Sequence, residues 1–231
     1  MPRISCVLPT KNRDDLIKNS VESIILQTEK DWELIVVDDH SSTDDKTKEI
    51  IELLGDQRIK YFKLTDENGT GIACARNFGN AMATSQIIAV MDSDDYSYPK
   101  RFEWSLDTLK KDSCDIVYGD IDYWYPDEDK IERYHSREFN IEDFKKFDFI
   151  PHPASSYRKQ IAIDFPYNSF YRRAEDYDFF ARLYTHKFNF EYVKEVFLKY
   201  RKHSGSITIE KNELFNYPNK VRESRGWPLM S

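Results

Sequence analysis

Apolar and polar positions along the first half of the chain alternate between two periods. Residues 4–8 are a short apolar run closed by Pro9, the mark of a buried strand. Residues 14–28 then place Ile17, Val21, Ile24 and Ile25 on one helical face. Residues 33–38 repeat the strand pattern and end in acids. Residues 44–54 repeat the helical one, with Ser41, Ser42 and Thr43 as candidate caps. A third strand is predicted over 59–62, a helix of small residues over 71–83, and a fourth strand over 86–91. Pro99 opens a helix running to about Lys111, and a fifth strand follows over 115–118. This β-α-β-α order predicts an α/β fold, a mostly parallel sheet with helices on both faces.

The regularity fades after Gly119. Residues 121–125 and 130–134 flank 126–129 as a hairpin would. A helix is predicted over 141–147. Another starts at Glu175 or Asp176 and runs to His186, with Phe179/Leu183 and Phe180/Tyr184 as inward pairs. Residues 190–193 and 196–200 are candidate strands. Repeats, low-complexity segments and Gly/Ser-rich linkers are absent, so one domain with two differently built halves is expected.

Composition adds limits. A chain of 231 residues, 40% hydrophobic and 15% aromatic, is globular and long enough for a sizeable core. The net charge of −7 argues against a nucleic-acid partner, which normally meets a basic face. It leaves phosphate ligands open, because a metal ion can supply positive charge locally. Cys6, Cys74 and Cys114 are few, odd in number and widely spaced, and read as reduced packing residues of a cytoplasmic protein. Because the chain opens directly into a strand, no leader is expected, and no apolar run approaches the ~20 residues of a membrane span. Membrane contact is expected to be peripheral at most. The Lys- and Arg-richer stretch 194–225 is diluted by glutamates and reads as a solvated surface.

In open α/β sheets, ligands bind outside the carboxyl ends of the strands. Pro9, Thr10, Asn12 and Arg13 follow the first strand, Asp38 and Asp39 the second, and Asp92, Ser93, Asp94 and Asp95 the fourth. Three carboxylates within four residues repel one another unless a cation neutralises them. Mg²⁺ or Mn²⁺ would do so and keep positions for phosphate oxygens. An acidic turn capping the next helix is the plainer alternative. Asp38 or Asp39 could accept a hydrogen bond from a base or a sugar hydroxyl, or merely cap a helix. Arg76, near a helix start, could pair with a loop acid or a nucleotide, or stand exposed. Asp176, also at a helix start, could take a proton from an attacking hydroxyl, or serve as an ordinary cap. His203 could complete a metal's coordination, or sit on the surface. Gly69-Thr70-Gly71 fails as a dinucleotide fingerprint because it follows the third strand, and neither a phosphate-binding Walker loop nor a His-Glu-x-x-His occurs. Asn68-Gly69-Thr70 matches a glycosylation acceptor, which carries no weight in a cytoplasmic protein.

Six stretches in this order resemble the family 2 glycosyltransferases, inverting enzymes of the GT-A fold. They are residues 7–13, 36–41, 71–77, 90–95 with Pro99, 175–178 and 200–203. The resemblance spans residues 2 to about 207 and implies a single GT-A domain over 1–207. Its mostly parallel, Rossmann-like half (1–119) would bind the nucleotide sugar, a mixed-sheet half (120–207) would bind the acceptor, and 208–231 would be a tail. It implies a nucleotide-sugar donor, usually a UDP-sugar, a Mn²⁺ or Mg²⁺ cofactor, and a glycan, lipid-linked or other hydroxyl acceptor in polysaccharide or glycoconjugate synthesis. By motif position, Pro9, Thr10, Asn12, Arg13, Asp39, Arg76, Asp92, Ser93 and Asp94 look like nucleotide contacts. Asp94 and His203 look like metal ligands, with Asp95 as an extra acid, and Asp176 matches the catalytic base. Glu175 and His152 are candidate acceptor contacts. Tyr123, Trp124, Tyr125 and Tyr157 are rings that could stack on sugar or fill the core. Many relatives continue into a membrane segment or a second module, which leaves membrane association and processivity open for this chain. A metal-dependent sugar nucleotidyltransferase and a non-enzymatic nucleotide-sugar binder are the rival readings. The first would want a glycine-rich loop after the first strand, where residues 9–13 have no glycine.

Overall fold

The computed structural model describes residues 1–203 and 216–229. Strands β1 (Ile4–Thr10), β2 (Trp32–Asp38), β3 (Ile59–Lys63) and β4 (Ile87–Val90) pair in parallel, with β1 between β2 and β4 and β3 outside β2. Helices α1 (Ile17–Ile25), α2 (Thr47–Leu54) and α3 (Ile72–Met82) connect them. Side chains alternate across the strands, so each strand feeds two cores. Ile4, Cys6, Leu8, Leu34 and Val36 meet Ile17, Val21 and Ile24 of α1 and Ile51 of α2. Val7, Ile35, Val37, Ile88 and Val90 meet Ala73 and Ala75 of α3. A Cβ on Gly79 would lie 2.4 Å from Val7 Cγ1, so glycine lets α3 lie directly on the sheet.

The chain then crosses to β5 (Tyr96–Ser97), α4 (Arg101–Leu109), the long β6 (Ile116–Tyr125) and its hairpin partner β7 (Lys130–Tyr134). After α5 (Ile141–Phe144) come β8 (Ser155–Arg158), α6 (Lys159–Asp164), α7 (Glu175–Thr185), β9 (Phe190–Arg201) and α8 (Asn216–Glu223). The nine strands among the described residues form one mixed sheet in the order β3-β2-β1-β4-β8-β6-β9-β5, with β7 off β6. Strand β8 is antiparallel to both β4 and β6, so it joins the parallel segment to the rest.

Four expectations are corrected. The candidate caps Ser41, Ser42 and Thr43 lie upstream of α2, whose cap is Lys46; Ser41 instead donates its N–H to Asp38 and accepts from the Asn12 amide. Pro99 precedes α4 by two residues, and its carbonyl accepts from Thr28. The predicted strands 115–118 and 121–125 are one strand, as are 190–193 and 196–200. Register shifts around Gly119 and Asp120 take up the irregularity that separates them in the pattern. Strands β5 and β8 and helix α6 have no counterpart in the predicted elements, being too short for either period to emerge.

The expected domain end at 207 lies outside the described residues. The described part of the tail packs on α7: Val221 and Arg222 are buried, Arg225 binds Asp178 at 2.9 Å, and Trp227 lies against Tyr177 and Phe144. Cys6 and Cys114 are buried free thiols, both pushed up to about 12 by burial, and Cys74 is half-buried. No helix among the described residues is long and apolar enough to cross a membrane.

Candidate active site

A cleft of about 640 Å³ opens at the carboxyl edge of the parallel strands. Pro9, Thr10, Arg13, Asp39, Arg76, Asp92, Ser93, Asp94, His152, Glu175 and Asp176 all line it. Residues more than 160 positions apart are thus brought to one place by the strand order. Asn12 lies outside this lining, with a positive φ of 50°. Its Oδ1 accepts the Ser42 amide and its N–H donates to Ser41 Oγ, so it ties the β1 loop to the β2 loop.

Asp38 and Asp39 end the same strand with different fates. Asp38 is buried behind the cleft, taken by the Ser41 amide at 2.7 Å and the Tyr61 hydroxyl at 2.5 Å. Asp39 faces the cleft. Its Oδ1 accepts from the Gly71 amide and from Thr70 Oγ1, and Lys11 stands 3.4 Å from Oδ2. Burial alone would raise its pKa, but the Gly71 amide, His40, Lys11 and Thr70 outweigh it and hold the group below the usual carboxylate range. Thr10 Oγ1 is buried in the same wall with no partner among the described residues.

The acidic loop after β4 is braced from three sides. Ser20 of α1 donates to the carbonyls of Ser93 and Asp95 at 2.8 and 2.7 Å. Arg101 lies fully buried beneath it, donating to the carbonyls of Val90 and Ser155. From the last strand, the Arg201 amide donates to Asp95 Oδ1 and the Arg201 guanidinium to the Asp94 carbonyl, both at 2.9 Å. That clamp delivers His203, two residues on, to Asp94: Nε2 and Oδ2 stand 3.0 Å apart. Asp95 is turned inward to this clamp and does not line the cleft.

Asp92 accepts from Arg76 at 3.0 Å, and Arg76 also donates to Glu175 at 2.5 Å. Arg76, for which the sequence left pairing and exposure as alternatives, is buried and holds an acid from each side of the cleft. Burial and the neighbouring Asp94 raise the pKa of Asp92 against the pull of Arg76; burial, Asp94 and Asp92 raise Asp95 well above the ordinary range. A loop whose acids are hard to ionise together favours a cation. Among the described residues no three His, Cys, Asp or Glu side chains converge to hold a metal by themselves. The donor set fits a hard divalent ion that Asp94 and His203 would share with oxygens of a ligand.

Glu175 and Asp176 open α7. Ala174 precedes them at φ 78°, a left-handed conformation that costs a residue with a Cβ of order 1 kcal/mol and turns the helix start into the cleft. Glu175 is spent on Arg76, and its pKa is pushed up to about 7 by burial and the Asp176 charge. The second residue, Asp176, lines the cleft and accepts from the Tyr177 amide at 2.8 Å. His152 is buried with Nε2 2.8 Å from the Tyr167 hydroxyl, and burial, Arg76 and Arg101 push its pKa well below the ordinary imidazole value.

Sequence reading passed over Lys11, Arg101, Asp148 and Arg172. Lys11 stands within the motif read for its neighbours. Arg101 has a signal in hindsight, a cation at the first position of the helix after an acidic loop. Asp148 and Arg172 line the cleft from irregular segments that have no periodicity to place them.

The model of Glycosyl transferase family 2 matches residues 5–180, from β1 through the start of α7. The chain belongs to this family. It is 28% identical over 227 residues to an uncharacterised glycosyltransferase of Methanocaldococcus jannaschii, covering 94% of this chain and 77% of that protein. It is 34% identical over 119 residues to WfgD of Escherichia coli, a UDP-Glc:α-D-GlcNAc-diphosphoundecaprenol β-1,3-glucosyltransferase, covering 52% of this chain and 46% of that one. Among solved structures, S. aureus TarS in complex with UDP-GlcNAc superposes with a TM-score of 0.74 at 19% identity, over 96% of this chain and 66% of that chain. The mannosyltransferase PcManGT of Pyrobaculum calidifontis, in complex with GDP-Man and Mn²⁺, gives 0.73 at 14% identity, over 97% and 64%. The chain therefore spans about half of the E. coli relative and about two thirds of these solved chains. The structural likenesses bear out the expected GT-A type of α/β fold.

Proposed function

We propose that this glycosyltransferase moves a sugar from a nucleoside-diphosphate donor, with UDP as the nucleotide, to an acceptor hydroxyl in a single inverting displacement. The observation that carries this reading is that Asp176 at the start of α7 lines the same cleft as Asp39 and the Asp92–Asp94 acids. Asp39, with Thr10 and Arg13, takes the nucleoside; the Gly71 and Lys11 contacts already keep it ionised as an acceptor for base N–H groups. Arg76 sets Asp92 and Glu175 around the donor. Asp94 and His203 would hold Mn²⁺ or Mg²⁺, whose charge would offset the charge that develops on the departing diphosphate.

Asp176 accepts the proton of the attacking hydroxyl while that oxygen bonds to the anomeric carbon. The bond from that carbon to the diphosphate oxygen breaks on the opposite face, and the nucleoside diphosphate leaves with the electron pair. One displacement inverts the centre. The relatives support the donor class by their names, a UDP-Glc enzyme and a structure with UDP-GlcNAc. We place the work in polysaccharide or glycoconjugate assembly at the cytoplasmic side of a membrane, with peripheral contact. The names of WfgD and of a Campylobacter jejuni undecaprenol-linked glucosyltransferase are in keeping with that.

The test is product identity. With UDP-sugars, Mn²⁺ and hydroxyl acceptors, the expected products are free UDP and a glycoside of inverted configuration. Pyrophosphate release would instead favour a nucleotidyltransferase, and no turnover or slow hydrolysis at all would favour a binding protein.

A further inference from the structure

The cleft wall opposite the acidic loop carries a carboxylate that the proposed chemistry does not use. Asp148 lies between Phe147 and Phe149, and all three line the cleft together with Asp176. One of its oxygens is fixed, Oδ1 accepting the Ile150 amide at 3.0 Å, which sets the carboxylate plane. Among the described residues the Ile150 amide is the one hydrogen-bond partner of the Asp148 carboxylate, and Asp148 has no ion pair. The Asp176 charge acts on it through space. Two acids that feel each other across a cleft, with no cation paired to this one, want hydrogen-bond donors between them.

The surroundings say what kind of donor. Tyr134 and Tyr123 pack at 5.7 Å, and Tyr123 meets Tyr200 at 5.9 Å, edge to face. All three rings line the cleft, and the Tyr134 hydroxyl reaches the Phe149 carbonyl next to Asp148. An apolar ring surface beside a fixed carboxylate suits a ligand with C–H faces and hydroxyl edges. A phosphate at this point would meet two carboxylates and is disfavoured.

We infer that Asp148 is an acceptor-binding residue: its free oxygen takes a hydrogen bond from a hydroxyl of a polyhydroxylated, uncharged acceptor unit whose neighbouring hydroxyl is presented to Asp176. This rests on the transferase reading above. It adds a specificity residue and a substrate class, a sugar ring held on the Tyr123–Tyr134 face.

The test uses the full chain, UDP-glucose and Mn²⁺, with p-nitrophenyl glycosides of glucose and N-acetylglucosamine and their monodeoxy analogues as acceptors. In Asp148→Asn and Asp148→Ala the acceptor KM should rise by about tenfold or more, while donor KM and donor hydrolysis without acceptor stay as in the wild type. One monodeoxy acceptor should be about tenfold poorer than its parent for the wild type and no poorer for Asp148→Ala. A merely structural Asp148 would not abolish that single discrimination. Asp148→Asn, which keeps the shape, covers the case in which Asp148→Ala fails to fold. Wild-type transfer with an unchanged acceptor KM in Asp148→Asn, or deoxy discrimination that persists in Asp148→Ala, overturns this inference alone. A wild type that transfers to none of these glycosides overturns the transferase reading, and this inference with it.

Discussion

The parallel strands β1–β4 and the strands from β6 onward present two different walls to one cleft. The first wall is wired: Asp39 accepts from a backbone amide and a hydroxyl, and Asp92 accepts from Arg76, which also holds Glu175. The second wall is padded. Tyr123, Tyr134, Phe147 and Tyr200 give it ring surface, and among the described residues Asp148 and Asp176 each have a single backbone amide as hydrogen-bond partner. Acids already held at fixed positions suit the part of a ligand that never changes, a nucleotide diphosphate. A ring-lined wall with lightly bonded acids suits a part that does. Arg76 joins the two, binding Asp92 on one side and Glu175 on the other.

Breaking either wall should therefore have a different signature. Asp176→Asn should lower kcat by about 1,000-fold in a transfer assay. Donor affinity by calorimetry should stay within about twofold, because the wired wall is intact. Arg76→Ala strands Glu175 and Asp92 without their partner and should cost about 3–5 kcal/mol in urea unfolding. Next in size is Gly119→Ala. The added Cβ would lie 2.4 Å from the Phe197 ring, and the overpacking should cost about 1–3 kcal/mol by the same measurement. Because the strain is at β6 and β9, donor affinity should be retained in whatever fraction stays folded.

The smallest effect is a pH slope. Glu175 has its folded pKa raised to about 7 from an ordinary 4.5, so the folded state binds its proton more tightly than the unfolded chain does. Its stabilising contribution is present below pH 4.5 and is lost as pH rises towards 7, at no more than about 1.4 kcal/mol per pH unit. Glu175→Gln should flatten that part of the stability profile. A profile that rises over the same window through Glu175 would contradict the assigned direction.

The two walls were also unequally legible. The parallel strands β1, β2 and β4 are buried on both faces, so their apolar runs stand out, and each acid at a strand end could be placed on the cleft edge by topology alone. Asp39, Asp92 and Asp94 were found that way. The pattern could not tell that Asp38 would turn inward, because its partners Tyr61 and Lys63 come from the next strand. Nor could it tell that Asp95 would turn towards Arg201, which lies 106 residues away in sequence. Asp176 was visible because it opens a helix with a clear apolar face. Asp148 was not, since a residue between two phenylalanines in an irregular segment carries no period, and only the strand order of the completed sheet brings it to Asp176.

The central claim is that the wired wall is a metal-assisted diphosphate site centred on Asp94. It is tested most directly by melting the wild type and Asp94→Ala with UDP, each with and without Mn²⁺. A ligand bound only by the folded state raises the melting temperature. The account predicts that UDP raises it in the wild type much more with Mn²⁺ than without, and that the metal-dependent part disappears in Asp94→Ala. An equal UDP shift in both proteins in the presence of Mn²⁺ would contradict it.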